Sequence, residues 1–311
     1  MVGEPIVSLQ VATLNQVTRG VEEIIGSGSN RLVAKCRKVG TDKIVVIKVF
    51  RKKNHLAAIN EVCDINRLSI LGANKNSVPT FIDNFIYKDC ICLVFELLHL
   101  NLCDFLQRQR WKPMSVADIK LIALQMLIFL RTLKRIGLTH ADIKPSNIML
   151  VNQESQPFKV KLTGFGLALE TATLSEFAKV QAVGYRAPEV YMGLPYNESI
   201  DMWSLGCTLV FMYLRSRDFF KRTEYEEITI PTLHPFYERL QSLDDLEIMA
   251  PDTRTLNEKK EIKAFVQLVK RMLKLNPADR ILPDDALKHP FFSMGAYPQS
   301  FKSCTKPSIN R

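Results

Sequence analysis

The sequence predicts an α+β protein in which a β-rich first part precedes a mainly helical second part. Short runs of β-branched and aromatic residues fill much of the first hundred positions, and turn residues separate them. Longer apolar stretches with helical periodicity follow, the longest of them from Val116 to Arg135. The segment from Glu96 to His99 leaves the last of the early strands, so we interpret it as the connection between the two parts.

The composition is ordinary for a soluble globular protein. The 311 residues are 47% hydrophobic and 24% charged, enough for one large domain or two lobes with a core that needs no covalent staples. The net charge of +10 indicates either a solvated basic surface or a weak attraction for acidic partners or nucleic acid. Because no nucleic-acid-binding module accompanies this charge, we predict no direct binding of nucleic acid.

Cysteine usage and hydropathy favour a reducing compartment without a membrane segment. The seven cysteines are scattered without metal-ligand spacing, and Cys90 and Cys92 are expected to be small hydrophobes on one face of a strand. The N-terminal stretch lacks the basic start and apolar core of a signal peptide. The most apolar helix, from Leu121 to Leu133, is interrupted by Gln125 and Arg131 and is too short to span a bilayer.

Three features of the first part could bind a phosphate-bearing ligand. Gly26 and Gly28 lie in a turn between predicted strands, where backbone N–H groups can approach a phosphate, although any hairpin can carry two glycines. Lys48 lies inside a β-branched run, so it either reaches a buried partner or ligand or faces water from an edge strand. A helix predicted from Asn60 to Leu71 places Glu61 where it could pair with Lys48 or remain a solvated charge.

The second part is organised around the loop from Thr139 to Leu150. The loop holds a carboxylate at Asp142, a cation at Lys144 and an amide at Asn147, and it ends in an apolar strand. A proline between the cation and the amide stops any helix from running through. In phosphoryl-transfer enzymes, a catalytic base and a metal-binding amide occur at this spacing.

Further motifs and elements follow along the second part, each a weak signal alone. The motifs are Thr163-Gly164-Phe165-Gly166, Ala187-Pro188-Glu189 and Asn276-Pro277-Ala278-Asp279-Arg280. The predicted elements are a strand from Phe158 to Leu162, an apolar helix from Asp201 to about Leu214 and a helix from about Lys260 to Leu275.

The order of these features resembles that of the eukaryotic protein kinase fold. The glycine turn, strand lysine, helix glutamate, connecting segment, catalytic-type loop and later motifs follow one another between residues 21 and 292. Four stretches are similar to the homeodomain-interacting protein kinase family: Val33-Ala34-Lys35-Cys36, Val94-Phe95-Glu96-Leu97-Leu98, His140-Ala141-Asp142-Ile143-Lys144-Pro145 and the run from Asp201. The alanine before Asp142 and the phenylalanine at position 95 are typical of that family.

The resemblance implies an α+β, two-lobed protein kinase fold. The N-lobe would hold a small antiparallel β-sheet plus one helix, and the larger C-lobe would be mainly α-helical. The implied segments are a lead-in at 1–20, a kinase domain at 21–292 with N-lobe 21–95, hinge 96–99 and C-lobe 100–292, and a tail at 293–311.

The resemblance also assigns an ATP-binding set. Lys48, held by Glu61, would bind the α- and β-phosphates, and the backbones of Glu96 and Leu98 would meet the adenine edge. The full set is Ile25, Gly26, Ser27, Gly28, Val33, Lys48, Glu61, Glu96 and Leu98.

In the central loop, Asp142 and Lys144 would be the catalytic residues and Asn147 would hold a metal ion. Asp142 would accept the proton of the substrate hydroxyl, and Lys144 would steady the transferred phosphate. Because a bare carboxylate is a poor base, most of the contribution of Asp142 should be orientation of the hydroxyl. Glu189 and Arg280 would form a buried structural ion pair.

One departure from the family bears directly on the metal. Gly164 stands where the Asp-Phe-Gly aspartate would grip magnesium, and Thr163 offers only a neutral hydroxyl. Loss of the main metal ligand is expected to cost roughly 10²- to 10⁴-fold in rate. ATP is therefore the expected ligand, and Mg²⁺ is a doubtful one.

Other departures affect the nucleotide and regulation. Val46 replaces an alanine two residues before Lys48, and its extra methyls would project over the adenine face at a cost of about 1–3 kcal/mol. Lys179 stands where the family has its phosphorylated tyrosine, and Val183 and Gly184 replace an arginine and a tyrosine. Self-activation by tyrosine phosphorylation is therefore not expected.

Two functions remain open on the sequence. Gly164 and Val46 favour a kinase-family domain with an ATP-binding cleft but weak or absent phosphotransfer, acting in signalling as a pseudokinase or regulator. Retention of Asp142 and Lys144 favours an active ATP-dependent Ser/Thr kinase that phosphorylates nuclear regulatory proteins. By resemblance, the partners would be protein substrates or transcription regulators, and we expect a monomer located in the nucleus or cytoplasm.

Overall fold

A computed structural model describes residues 20–27, 31–38, 41–70, 77–176, 180–214, 242–248 and 255–294. The chain divides into two compact units: the first ends at His99 and the second begins at Leu100. The division falls where the sequence predicts the hinge to end. Most of the predicted lead-in and tail, and Lys179, lie outside the described residues.

The first unit holds a five-stranded antiparallel sheet in the order β1-β2-β3-β5-β4. Its strands are β1 (Val21–Ser27), β2 (Arg31–Arg37), β3 (Ile44–Phe50), β4 (Phe81–Tyr87) and β5 (Cys90–Glu96). Lys88 and Asp89 connect the last two, both with positive φ, as a two-residue hairpin turn requires. The sheet confirms the predicted antiparallel N-lobe.

The two faces of this sheet have different neighbours because successive side chains of a strand point to opposite faces. Val45, Ile47 and Val49 of β3 lie in an apolar cluster with side chains of β2 and β5. On the other face, Phe50 packs with Leu93 and Phe95 against helix α1 (His55–Ile70). Alternation therefore places Val46 and Lys48 on the α1 side of the sheet. The helix begins five residues before the predicted Asn60, since nothing in that stretch breaks it.

The second unit is mainly helical, which confirms the predicted C-lobe. Its helices are α2 (Leu102–Arg108), α3 (Val116–Arg135), α4 (Pro188–Tyr191), α5 (Ser199–Leu214), α6 (Asp245–Ile248), α7 (Leu256–Met272), α8 (Pro283–Ala286) and α9 (Pro290–Ser293). Two-stranded sheets pair β6 (Leu138–Thr139) with β9 (Leu169–Glu170) and β7 (Ile148–Asn152) with β8 (Gln156–Leu162).

The core of the second unit forms around α3, α5 and α7. α5 is buried on almost every side, so it needs no polar face. α3 begins as predicted because the Ser115 side chain accepts from the Asp118 N–H. α7 begins at Leu256 rather than at the predicted Lys260, because Thr255 and Glu258 form a capping box. No helix within the described ranges is long and apolar enough to cross a membrane.

Candidate active site

The loop between β6 and β7 is fixed from beneath by one buried carboxylate, that of Asp201 in α5. Its Oδ2 accepts the His140 N–H at 2.8 Å, and its Oδ1 accepts the Ala141 N–H at 2.9 Å. Ala141 has a φ of +59°, so the chain turns sharply there, just before Asp142. Burial raises the pKa of Asp201 to about 7, and the two backbone N–H groups oppose that rise.

His140 joins this loop to the strand end that precedes Gly164. The Asp142 N–H donates to Nδ1 of His140 at 3.2 Å, so Nδ1 carries no proton. Nε2 then carries the proton and donates to the Thr163 carbonyl at 3.1 Å. The ring is fully buried and lies edge-on to Phe165, with centroids 4.8 Å apart. These contacts fix the position of Asp142 relative to residues 163–165.

Both carboxylate oxygens of Asp142 have partners. Lys144 Nζ donates to Oδ1 at 2.9 Å, and Asn147 Nδ2 donates to Oδ2 at 2.8 Å and to the Asp142 carbonyl at 2.7 Å. Asn147 is buried, whereas the Lys144 side chain is 28% exposed and that of Asp142 is 13% exposed. The structure thus brings together the three loop residues that the sequence predicts, with the carboxylate held by an ammonium and a carboxamide.

The position of the missing metal ligand lies directly against Asn147. Gly164 has a φ of +86°, and a Cβ built on it would lie 2.8 Å from three atoms of the Asn147 carboxamide. The Thr163 hydroxyl donates to the Asn147 carbonyl at 3.0 Å. Two other carboxylates of this unit have different surroundings: Asp104 bonds Asn101 at the start of α2, and Glu170 is exposed in β9.

The side chains around Gly164 do not fit a divalent cation such as magnesium, which the family uses. Magnesium is held in proteins through one or more carboxylates, yet Gly164 supplies none and both oxygens of Asp142 are engaged. Within the described part of the chain, no group of three or more His, Cys, Asp or Glu side chains could hold a metal ion. The predicted metal role of Asn147 therefore stays a prediction, since the carboxylate that it contacts, that of Asp142, also binds Lys144.

In the first unit, Lys48 pairs with Glu61 across the space between β3 and α1. Its Nζ forms an ion pair with Glu61 Oε1 and lies 4.6 Å from the centroid of the Phe95 ring. Glu61 is 1% exposed and the Lys48 side chain 12% exposed. The solvated alternatives for both residues are therefore wrong, and Lys48 is held by a carboxylate and an aromatic face together.

Other predicted nucleotide contacts of the first unit lie on the same sheet. Val33 is paired with Lys48 in register and Val46 with Phe95, so these side chains share one face. Gly26 lies opposite Val33 on β1. Val46 is 9% exposed.

The remaining predicted contacts are Ile25, Ser27, Gly28, Glu96 and Leu98. Ile25 and Ser27 are in β1, and Gly28 lies outside the described residues. The Glu96 N–H donates to the Thr80 carbonyl at 3.1 Å, so a backbone contact from Glu96 has to come from its carbonyl oxygen. Leu98 is buried.

The segment before α4 contains a residue that sequence reasoning missed. Gln181 has a φ of +66° and is buried; its amide donates to the Ile200 carbonyl and Ser204 Oγ and accepts the Ala187 N–H. Arg186 donates to the Val180 and Gln181 carbonyls, both at 2.9 Å. A lone glutamine in a polar stretch carries no sequence signal for such a role. Val183 is exposed, and its carbonyl accepts the Tyr191 hydroxyl.

The predicted structural ion pair is present and fully buried. Arg280 donates to both carboxylate oxygens of Glu189, at 2.7 and 3.0 Å, and also to the Ser199 and Lys274 carbonyls. The side chains are 0% and 2% exposed, so each charge is removed from water and compensated by the opposite charge of its partner. It joins α4 to the segment after α7.

The protein kinase domain profile matches residues 20–292 of this chain. Among curated relatives, homeodomain-interacting protein kinase 1 of Caenorhabditis elegans is 32% identical across 88% of this chain and 40% of its own length. Homeodomain-interacting protein kinase 2 of Mesocricetus auratus is 33% identical across 89% and 28%. Homeodomain-interacting protein kinase 4 of Mus musculus is 31% identical across 88% and 54%. The chain thus spans roughly a quarter to a half of the length of these relatives.

Proposed function

The chain belongs to the protein kinase domain family, and from that premise we propose that it binds ATP but transfers phosphate weakly or not at all, acting in signalling as a pseudokinase or regulator. The observation that carries this proposal is Gly164. By resemblance it stands where the family has its metal-binding carboxylate, and the described residues contain no group of three or more His, Cys, Asp or Glu side chains that could hold a metal ion. Phosphoryl transfer depends chiefly on positioning and charge neutralisation, so loss of the cation's main ligand removes a large share of the catalysis.

The ATP part of the proposal is supported by the first unit. Lys48 keeps its ammonium fixed by Glu61 and Phe95, so its charge is positioned before any ligand arrives. Val46 lies on the same face of the sheet as Lys48. Its two methyl groups beyond those of alanine occupy volume on the proposed adenine side, which lowers the affinity for nucleotide without abolishing it.

The alternative is an active ATP-dependent Ser/Thr kinase that uses Asp142 to orient the hydroxyl of nuclear regulatory proteins. A specific observation favours it: Asp142 and Lys144 are retained and lie in contact at 2.9 Å on a loop anchored by Asp201. Orientation of the substrate hydroxyl therefore remains feasible. In this alternative, Lys48 and Lys144 supply cationic charge in place of the metal ion that the missing carboxylate would hold.

Partners and location are further parts of the same proposal. The relatives are named as kinases that interact with homeodomain proteins. We infer that this chain takes protein partners of that kind, transcription regulators among them, as a monomer in the nucleus or cytoplasm. As a regulator it would compete with active relatives for the same proteins.

A paired phosphotransfer assay tests the proposal. The parent protein, Gly164→Asp and Asp142→Asn are each incubated with ATP, magnesium and a basic or a proline-directed peptide. We expect the parent to stay close to the Asp142→Asn background and Gly164→Asp to rise by roughly 10²-fold or more, since the carboxylate restores a metal ligand. A parent rate far above the Asp142→Asn background, unchanged by Gly164→Asp, would contradict it and favour the active kinase.

A further inference from the structure

The missing side chain at position 164 has a second consequence, which concerns Asn147. A Cβ at Gly164 would lie 2.8 Å from Cγ, Nδ2 and Oδ1 of Asn147. Real Cβ atoms are essentially never found closer than 3.0 Å to such neighbours, so something would have to shift. The carboxamide of Asn147 and any side chain at 164 therefore exclude one another in this arrangement.

The carboxamide uses that space to hold Asp142. Nδ2 of Asn147 donates both to the Asp142 carbonyl and to its Oδ2, and the residue is 7% exposed. The backbone of Asn147 has little freedom, because its carbonyl accepts the N–H and the hydroxyl of Thr163 at 2.8 and 3.0 Å. Only the Asn147 side chain can then move away from an added group at 164.

We infer that Gly164 is a positioning residue which acts through Asn147. By lacking a side chain, it admits the carboxamide to a position where Nδ2 of Asn147 clamps both the carbonyl and the carboxylate of Asp142. Loss of the aspartate thus removes one metal-binding carboxylate and leaves the Asp142 carboxylate held by Lys144 and Asn147. The inference rests on the proposed function, in which the metal-binding aspartate of the family is replaced by Gly164.

Two other glycines of the second unit provide matched controls. Gly137 and Gly193 have φ values of +67° and +64°, close to the +86° of Gly164, but a Cβ on either would meet nothing within 4 Å. Replacing them with alanine therefore measures the backbone strain of a left-handed residue alone. Any additional loss at position 164 reports the contact with Asn147.

The experiment compares melting temperatures of Gly164→Ala, Gly137→Ala and Gly193→Ala, without nucleotide or metal. We expect the controls to melt roughly 2–4 °C below the parent and Gly164→Ala to lose about twice as much. In an Asn147→Ala background, the excess loss at 164 should vanish. An equal loss at all three glycines, or an excess that persists without Asn147, would overturn the inference.

A spectroscopic readout separates the clamp from general destabilisation. In protein labelled with ¹⁵N-asparagine, the carboxamide signal of Asn147 is assigned by its absence in Asn147→Ser. Gly164→Ala should shift that signal, and Gly137→Ala should leave it in place; an unmoved signal in Gly164→Ala would refute the clamp. If Gly164→Ala does not fold, the double variant with Asn147→Ala should fold, and failure of both would overturn the inference.

Neither readout involves phosphate transfer. A parent protein that proves to be an active kinase would refute the proposed function, whereas an absent coupling between residues 164 and 147 would refute only this inference. The two failures are therefore distinguishable.

Discussion

The Glu189–Arg280 pair and the cluster around Asp142 lie in the same unit. Only the ion pair has every charged residue that the family resemblance predicts. Arg280 makes two bonds to one carboxylate and further bonds to two carbonyls, with both side chains buried. Asp142 is instead held by an ammonium and a neutral amide, beside a glycine where a carboxylate is expected. The groups that hold the fold together are thus separate from the group that is lost.

This difference explains how the chain keeps a kinase fold without its usual metal ligand. Removing one partner of a buried ion pair leaves an uncompensated charge and destabilises the fold strongly. Gly164 leaves no such charge, because its place is filled by the carboxamide of Asn147. The same position could therefore change without a large loss of stability.

The largest effect is expected when the buried Glu189–Arg280 ion pair is broken. Glu189→Gln keeps the shape of the side chain but leaves the Arg280 guanidinium buried without its counter-charge. We expect the free energy of unfolding, measured by urea denaturation, to fall by about 3–5 kcal/mol. A fall below about 1 kcal/mol would mean that the pair does not hold α4 in place.

The matched control for this prediction is an exposed ion pair of the same unit. Lys270 Nζ lies 2.7 Å from Asp244, with side chains 44% and 62% exposed. Asp244→Asn makes the same loss of one carboxylate charge, but solvent screens it, so the expected change is about 0–1 kcal/mol. A similar loss in both variants would point to a general sensitivity to charge rather than to burial.

A smaller effect is expected at the anchor beneath Asp142. In Asp201→Asn, one carboxylate oxygen becomes an amide N–H₂, which cannot accept the second of the two backbone N–H groups of His140 and Ala141. One buried donor is left without an acceptor, at a cost of about 1–3 kcal/mol. Chemical denaturation of parent and variant at pH 5 measures this difference.

The pH dependence of that difference has a defined sign. The pKa of Asp201 in the folded protein, about 7, lies above its ordinary value of 3.8, so protonation stabilises the folded state between these values. The advantage of the parent over Asp201→Asn should therefore grow as pH falls from about 7 to about 4 and stay at its lowest value above pH 7. An advantage that grows with rising pH would show that the backbone donors outweigh burial.

The sequence predicted much of the fold and several contacts because motif order constrains them. The strands of the first unit, the helix from Val116 to Arg135 and the arginine partner of Glu189 all follow from hydrophobic pattern and resemblance. The pairing of Lys48 with Glu61 was one of two open alternatives, and the structure selects it. The starts of α1 and α7 were placed too late, the latter because the Thr255 capping box was overlooked.

Other features could not be predicted because they depend on side-chain positions between segments distant in sequence. The Asn147 carboxamide occupies the space where a side chain at position 164 would lie. Predicting this would require the rotamer of Asn147 and the φ of +86° at Gly164. The bonds of Gln181 to Ile200 and Ser204 join a loop to α5, and a single polar residue does not announce them. The cation–π contact of Lys48 with Phe95 likewise follows only from strand register.

The central claim is that the chain lacks a magnesium ligand at position 164 but still binds ATP through Lys48. Measuring the affinity for nucleotide tests this claim most directly. ATP is titrated into the parent protein by calorimetry with and without magnesium chloride, and Gly164→Asp is titrated beside it. The account predicts weak binding that magnesium barely changes in the parent and a clear magnesium dependence in the variant. Strong enhancement of ATP binding by magnesium in the parent would contradict it.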